Sequence, residues 1–485
     1  MTYFLWSLPI LVIIVAIASG RVGAISAGFS GMLVALAVAC TAAPAPLTFT
    51  DLLMSGGKGL WLSWLVAAVI LAGLFFRDNI AKPVLDAHPP VSVDSAMTRR
   101  RVFAICFLIG PFAEAATGFG VGQVATVAAL SAVGLAPLDV VLLGLFSQIL
   151  VPWGAMANGT IIGAHLAGLP PSELGVASAM VSGPLLFAWL FVFWRMAGAA
   201  GLANTNAIRA HEVAWLLFVL SSLVCANRFL GPEIAGMATL GPLIVLRFWR
   251  VERPNRKLWR SAVRVGLPYA VLILGLAASR AVSVFSVALA APLTLQPFPD
   301  GPVWVPLLHP GTWLAGVGIL TAVISGRGRA IPAAAYNAWA HGRKAVLTIA
   351  IYLVVAQIMA DSSMAQGIAD GVRRALGSLA VIVTPLLAGA LGFLTGSSNA
   401  TNGLLMRSQV SLADGHVALV WIAALQNTAA AAMTMLSPVR VSMGCALVGQ
   451  SDLQRTVYTQ AWPLGAAALG VFASVAAFLL SLSWL

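Results

Sequence analysis

The stretch ALGSLAVIVTPLLAGALGFLTGSSNATNGLLM, Ala375 to Met406, contains no Asp, Glu, Lys or Arg. It is longer than the about 20 residues a helix needs to cross a hydrocarbon core of ~30 Å. Its middle is not a plain span, however. Leu391-Gly-Phe-Leu-Thr-Gly-Ser-Ser-Asn-Ala-Thr-Asn-Gly403 concentrates Gly, Ser, Thr and Asn where a lipid-facing helix would carry aliphatic side chains. Gly at this density interrupts a helix and frees backbone N–H and C=O groups at membrane depth. Such groups are tolerated only where protein or a wet cavity satisfies them.

The rest of the chain has the same character. Met1 to Gly20, Leu174 to Trp194 and Thr456 to Leu485 are also free of charged residues. Across 485 residues, 60% are hydrophobic and 9% charged. Soluble domains carry about 25% charged residues, so a soluble fold is excluded. Met1–Gly20 lacks a basic leading segment and a small-x-small cleavage site, and a second apolar run follows from Val22. It reads as a span of the mature chain rather than a signal peptide. The fold class expected is therefore an all-α integral membrane protein with about 12–14 transmembrane helices. Two broken-helix or re-entrant regions lie in its pseudo-repeated halves. Residues 1–485 read as a single polytopic domain, with motif regions at 100–165 and 378–450.

Loop charge gives orientation. Arg77 to Arg101, Arg247 to Arg264 and Arg327 to Lys344 hold most of the Lys and Arg that produce the net charge of +12. Basic loops stay in the cytoplasm, and three spans before Arg77 then put the N-terminus outside. Pro292 to Pro302, with one acid and no base, fits an external loop. The same clustering accounts for the basic balance without nucleic acid. Cys40, Cys106, Cys225 and Cys445 fall in apolar runs and are expected to be buried thiols; their spacing suits neither a disulfide framework nor a metal site. No cofactor is expected. Trp61, Trp304 and Trp484 sit near span ends as interface anchors, and His165 and His309 are expected to be structural.

A second irregular stretch precedes the first: Leu108-Ile-Gly-Pro-Phe-Ala-Glu-Ala-Ala-Thr-Gly-Phe-Gly-Val-Gly122. The two echo each other, Gly118-Phe119-x-x-Gly122 aligning with Gly392-Phe393-x-x-Gly396. A Gln follows each, Gln148 and Gln426, and then another irregular segment: Pro152 to Thr160, and Thr434 to Gly444. Interrupted segments at corresponding places in two halves point to a transporter's binding site, where half-helix N-termini face anionic groups. A Gly-rich packing seam is the simpler reading, but packing does not require Ser397, Ser398, Asn399, Thr401 and Asn402. Glu114 stands 13 residues past Arg101, roughly 20 Å along a helix. An ionised carboxylate is costly there, so Glu114 is a candidate proton carrier. A glutamate that only pins the break is the competing reading. Arg280, Arg407 and Arg440 are candidates for pairing with an anion; Arg280 can alternatively pair with Glu114 or snorkel to the interface, and Arg407 and Arg440 can instead be simple helix-end anchors.

These motifs resemble the lactate permease family. Phe112-Ala-Glu-Ala-Ala-Thr-Gly-Phe-Gly120 is similar to that family's Glu-Gly-x-Ala-Gly-Phe-Gly signature, and Gly396-Ser-Ser-Asn-Ala-Thr-Asn402 to its Thr-Gly-Ser-Asp/Asn-Thr-x-x-Asn stretch. Gln426-Asn427, Ser437-Pro438 and Gly449 to Arg455 follow the family's order, and the likeness runs from about residue 100 to the C-terminus. It departs at Gly120-Val121-Gly122, Arg407 and Arg440. The resemblance implies import of a small 2-hydroxymonocarboxylate such as lactate or glycolate, with a proton, across the bacterial inner membrane. It also implies a distant tie to transporters with paired hairpins and elevator-like movement.

The substrate site expected is Gly118, Phe119, Gly120, Gly122, Gly396, Ser397, Ser398, Asn399, Thr401, Asn402, Gln426 and Asn427, with Glu114 for the proton. The partners are a small organic anion, a proton and the bilayer, and a homo-oligomer is compatible with them. A transporter of another anion, such as a dicarboxylate, and a passive anion channel are the alternatives. A membrane-embedded enzyme is disfavoured, because the acids are few and isolated.

Overall fold

A computed structural model describes residues 2–80, 95–413 and 417–482. The centre of the first basic loop and Trp484 lie outside the described residues. The chain begins with α1 (Thr2–Ala18), α2 (Ala24–Thr41) and α3 (Phe49–Asn79). Short pieces follow: α4 (Ser95–Ala104), α5 (Gly110–Thr117), α6 (Val121–Val133), α7 (Pro137–Gly144) and α8 (Gly154–Ala167). Longer helices return with α9 (Pro171–Ala199), α10 (Asn206–Leu230), α11 (Pro232–Arg247) and α12 (Arg256–Ala281). Next come α13 (Ser283–Ala290), α14 (Pro310–Ile324), α15 (Ile331–Asp361) and α16 (Met364–Leu376). The chain closes with α17 (Ala380–Thr395), α18 (Ser398–Val410), α19 (Leu419–Met433), α20 (Pro438–Leu447) and α21 (Gln454–Leu482).

Among the described residues, ten helical stretches are long and apolar enough to cross a bilayer, and a pair bent by 57°, Pro137–Gln148 with Val151–Ala167, makes eleven. The helices α1, α6 and α14 are apolar but only 10–17 residues long. The expectation of about 12–14 crossings included these shorter pieces. This is a multi-pass membrane protein.

Small residues let the spans approach closely, as lipid-embedded helices require. Gly59 of α3 lies against the α15 backbone: a Cβ there would meet Val354 Cα at 2.6 Å. Gly31 of α2 faces Ile13 and the Pro9 carbonyl of α1 in the same way. Proline opens α7, α9, α11, α14 and α20, where its missing N–H leaves no helical bond unmade.

Polar contacts join the ends of the basic loops to one another. Arg101 pairs with Glu252 at 2.9 Å, and Arg247 donates to the Arg100 carbonyl at 2.8 Å. Arg327 donates to the Asn79 carbonyl at 2.6 Å, bringing the third basic loop to the end of α3. Towards the start of α3, Lys58 lies 3.7 Å from Asp300, in the loop expected outside. Trp61 donates to the Pro302 carbonyl and packs edge-on against Trp304 beside it. The histidine Nδ1 of His309 accepts from Gly311 N–H and caps α14. The cysteines divide: Cys106 and Cys445 are buried, but Cys40 and Cys225 are exposed. The expectation of four buried thiols is thus corrected for two. An apolar run in a membrane protein has an outward side as well as a packed one, and these two lie on the outward side.

Candidate functional site

The first irregular stretch folds as a hairpin. The helix α5 ends at Gly118, whose φ of 69° and ψ of −161° fall where essentially only glycine is stable. Phe119 and Gly120 follow with φ of 54° and 85°, and α6 then runs back along α5. Glu114 meets Gly122, and Gly110 meets Thr126, across the pair. The second stretch does the same. Gly396 turns the chain at φ 64° between α17 and α18. Deeper in this hairpin, Thr384 Oγ1 donates to Gln409 Oε1 at 2.7 Å. Ser397 caps α18, its Oγ accepting from Ala400 N–H at 3.3 Å.

A broken span follows each hairpin. Between α7 and α8 the chain passes Val151-Pro152-Trp153 and then three consecutive left-handed residues, Ala155, Met156 and Ala157. Left-handed alanine costs roughly 1–2 kcal/mol per residue, so the surroundings must impose this turn. Thr160 Oγ1 helps by donating to the freed Pro152 carbonyl at 2.6 Å. Between α19 and α20 the break falls at Thr434 to Ser437, and Ser437 caps α20.

Hairpin tips and breaks converge. Gly118 lies against Ala155, with 2.5 Å between a built Cβ and the Ala155 Cβ. Gly120 lies against Arg440 and Met443 of α20. A Cβ built at Gly396 would lie 3.0 Å from Ser437 Oγ, and Gly159 faces Ser398 and Asn399 in the same way. Each tip therefore touches both broken spans. Leu394 to Ser398 are half-buried, and Val439 beside them is 66% exposed, so this junction is reachable from outside the core.

Glu114 is the centre of the first hairpin and is 3% exposed. Its carboxylate accepts from Gly120 N–H at 3.2 Å, from Gly122 N–H at 3.1 Å and from Arg440 Nη2 at 3.1 Å. The N-terminus of α6, expected to face a substrate carboxylate, instead faces a carboxylate of the chain itself. Arg440 is 9% exposed and has its own N–H on Ser437 Oγ, so it stands between the two hairpins.

The remaining candidates divide. Asn402 Nδ2 donates to the Gly159 carbonyl at 2.9 Å and to Asn427 Oδ1 at 2.8 Å. Asn427 Nδ2 donates in turn to Thr160 Oγ1 and Ser178 Oγ, both at 3.0 Å. Thr401 Oγ1 is held by the Ser397 carbonyl inside the second tip. Gln426 is fully buried, and neither of its amide atoms has a protein partner; the same holds for Asn402 Oδ1, Asn158 Nδ2 and Gln148 Oε1. Buried polar atoms are nearly always paired, so each of these atoms is a candidate contact for a polar ligand.

Arg280 is not brought to this junction. It pairs with Glu233 of α11 at 3.3 Å, so neither pairing with Glu114 nor simple snorkelling describes it. Arg407 lies near the end of α18, donating to Gln357 Oε1 at 3.4 Å. Trp153 is buried and donates to Asn227 Oδ1, which makes it a packing residue. Thr160 and Ser178 escaped the sequence reading. The irregular stretch through Thr160 marked the first, whereas Ser178 lies in a plain helix and carried no signal.

Interrupted helices, two hairpin tips that meet two broken spans, and buried polar groups without partners together define a membrane transporter. The L-lactate permease family model matches residues 3–264 and 316–480, and the chain belongs to that family. It is similar to the L-lactate permease of Salmonella typhimurium, at 28% identity over 93% of this chain and 91% of that protein. Shorter similarities connect it to the L-lactate permease of Escherichia coli K12 (28% identity, 47% of this chain, 41% of that protein) and to its glycolate permease GlcA (26%, 53% and 46%).

Proposed function

We propose that this chain imports a small 2-hydroxymonocarboxylate, such as lactate or glycolate, across the bacterial inner membrane together with a proton. The names of its relatives support the substrate class. The observation that carries the reading is the junction of two hairpin tips with two broken spans around Glu114 and Arg440. Neutral donors at Ser397, Ser398 and Asn399 suit a carboxylate or an α-hydroxyl, and the Gln426 and Asn158 amides suit the remaining oxygens. Glu114 is the group that takes the proton. Gly118, Phe119, Gly120 and Gly122 shape the first tip, and Asn402 and Asn427 fix the second against its neighbours. The two hairpin-and-break units act as repeats, exposing the site to each side in turn. The basic loops are cytoplasmic and the N-terminus external.

The test is uptake of labelled L-lactate into proteoliposomes under an inward proton gradient, challenged with unlabelled glycolate, D-lactate, pyruvate and succinate. Accumulation blocked by the hydroxy acids supports the reading. Accumulation blocked by succinate alone replaces it with dicarboxylate transport. Equilibration without accumulation replaces it with a passive anion pathway. In Glu114→Gln, uptake no longer follows the pH gradient while lactate exchange persists; gradient-driven uptake as in the unaltered protein refutes the role of Glu114.

A further inference from the structure

The carboxylate of Glu114 sits in what is, by its donors, an anion site. Two backbone N–H groups at the start of α6 and the Arg440 guanidinium converge on it within 3.1–3.2 Å. The positive end of the helix dipole reinforces them. A free carboxylate could ask for no better set, and the set is already filled. The second hairpin differs: its α18 N-terminus carries the neutral cap Ser397. Arg440 stands between the two, on Glu114 through Nη2 and beside Ser437, which touches Gly396 of the second tip.

Among the described residues, the other elements reach the surroundings of Glu114 through uncharged groups. The broken span, α11 and α3 approach α5 through Gly154, Gly236 and Gly73, and α6 through Gly122 and the amide of Gln123, which donates to the Arg440 carbonyl. Among the described residues, Arg440 is the charged partner recorded for Glu114. Two ionised carboxylates cannot share one guanidinium in a buried site without a large repulsive cost.

We propose that the substrate carboxylate and the charged form of Glu114 are alternative occupants of Arg440. This rests on the reading of the chain as an organic-anion transporter. While Glu114 is ionised it holds Arg440 and the first tip, and the anion is excluded. A proton on Glu114 weakens its hold on the guanidinium. The anion, seated at Ser397 to Asn399, then engages Arg440. One proton therefore enters with each monocarboxylate, and the charge at the junction is the same before and after loading. Proton and anion are coupled here by exchange of a common partner, with no relay between distant sites.

The experiment measures L-lactate binding to the purified full-length protein in weakly buffered solution, with a pH indicator reporting proton uptake. One proton is expected per lactate bound, with affinity falling about tenfold per pH unit once Glu114 is ionised. In Glu114→Gln, binding persists, proton uptake vanishes and affinity no longer depends on pH. In Arg440→Gln, lactate affinity falls sharply at every pH, and Arg440→Lys restores part of it. Melting temperatures identify a variant that has lost its fold, and the lysine and glutamine variants give independent readings. Glu114→Gln that still takes up a proton per lactate overturns the proposal, as does Arg440→Gln with unchanged affinity. If a dicarboxylate binds in place of lactate and the same pattern holds, the proposal stands and the substrate reading fails. If lactate is transported but Glu114→Gln keeps the original pH profile, the substrate reading stands and the proposal fails.

Discussion

Asn402 of the second hairpin and Asn427 of the following span are joined side chain to side chain, Nδ2 to Oδ1, at 2.8 Å. The contact continues from Asn427 to Thr160 and Ser178, so one amide ties the second hairpin to both α8 and α9. Interhelical hydrogen bonds in membranes contribute about 0.6 kcal/mol each on average. This one also settles which way two buried amides face.

Asn427→Ala removes three such bonds and leaves the Asn402 amide with only the Gly159 carbonyl. A loss on the order of 2 kcal/mol is expected, read as a lower melting temperature in detergent. An unchanged melting temperature would show that the network is replaceable by water.

Gly118→Ala tests the first tip. A side chain there is strained by the backbone, about 1–3 kcal/mol, and would also collide with Ala155. Uptake should fall to background while some folded protein survives. Normal uptake would mean that the tip can be rebuilt without its glycine.

Away from the junction, Arg99 and Glu212 form a buried bidentate pair at 2.8 and 3.1 Å, with Trp194 donating to the same carboxylate. Breaking a buried pair by removing one partner costs about 3–5 kcal/mol. Glu212→Gln and Arg99→Met should each destabilise by that order, and the double variant by less than the sum. Additive losses in a double-mutant cycle would refute the coupling.

Arg280→Gln should lower stability without changing the KM for lactate, because among the described residues its ion pair is with Glu233 of α11. A raised KM with unaltered stability would restore Arg280 as a candidate for pairing with the anion.

Orientation is open to labelling with a membrane-impermeant maleimide, on a background in which Cys40, Cys106, Cys225 and Cys445 are replaced. Asp300→Cys should be labelled in intact cells and Arg250→Cys only after permeabilisation. The reverse pattern would place the N-terminus inside.

The amino-acid sequence by itself determined the environment of this protein and the places where its helices fail. With 9% charged residues and long uncharged runs, only a membrane can solvate it. Gly118, Gly120 and Gly396 mark breaks because they can take the positive φ that a sharp turn demands. The basic loops were legible for the same local reason, charge being excluded from the hydrocarbon. Partnership was decided only by tertiary structure. Nothing within one helical period says that Glu114 meets Arg440, 326 positions away, rather than Arg280, or that Arg280 finds Glu233. Buried charges must be compensated, which tells that a partner exists. Which one it is depends on how the hairpins and broken spans pack, and that is a property of the assembled bundle.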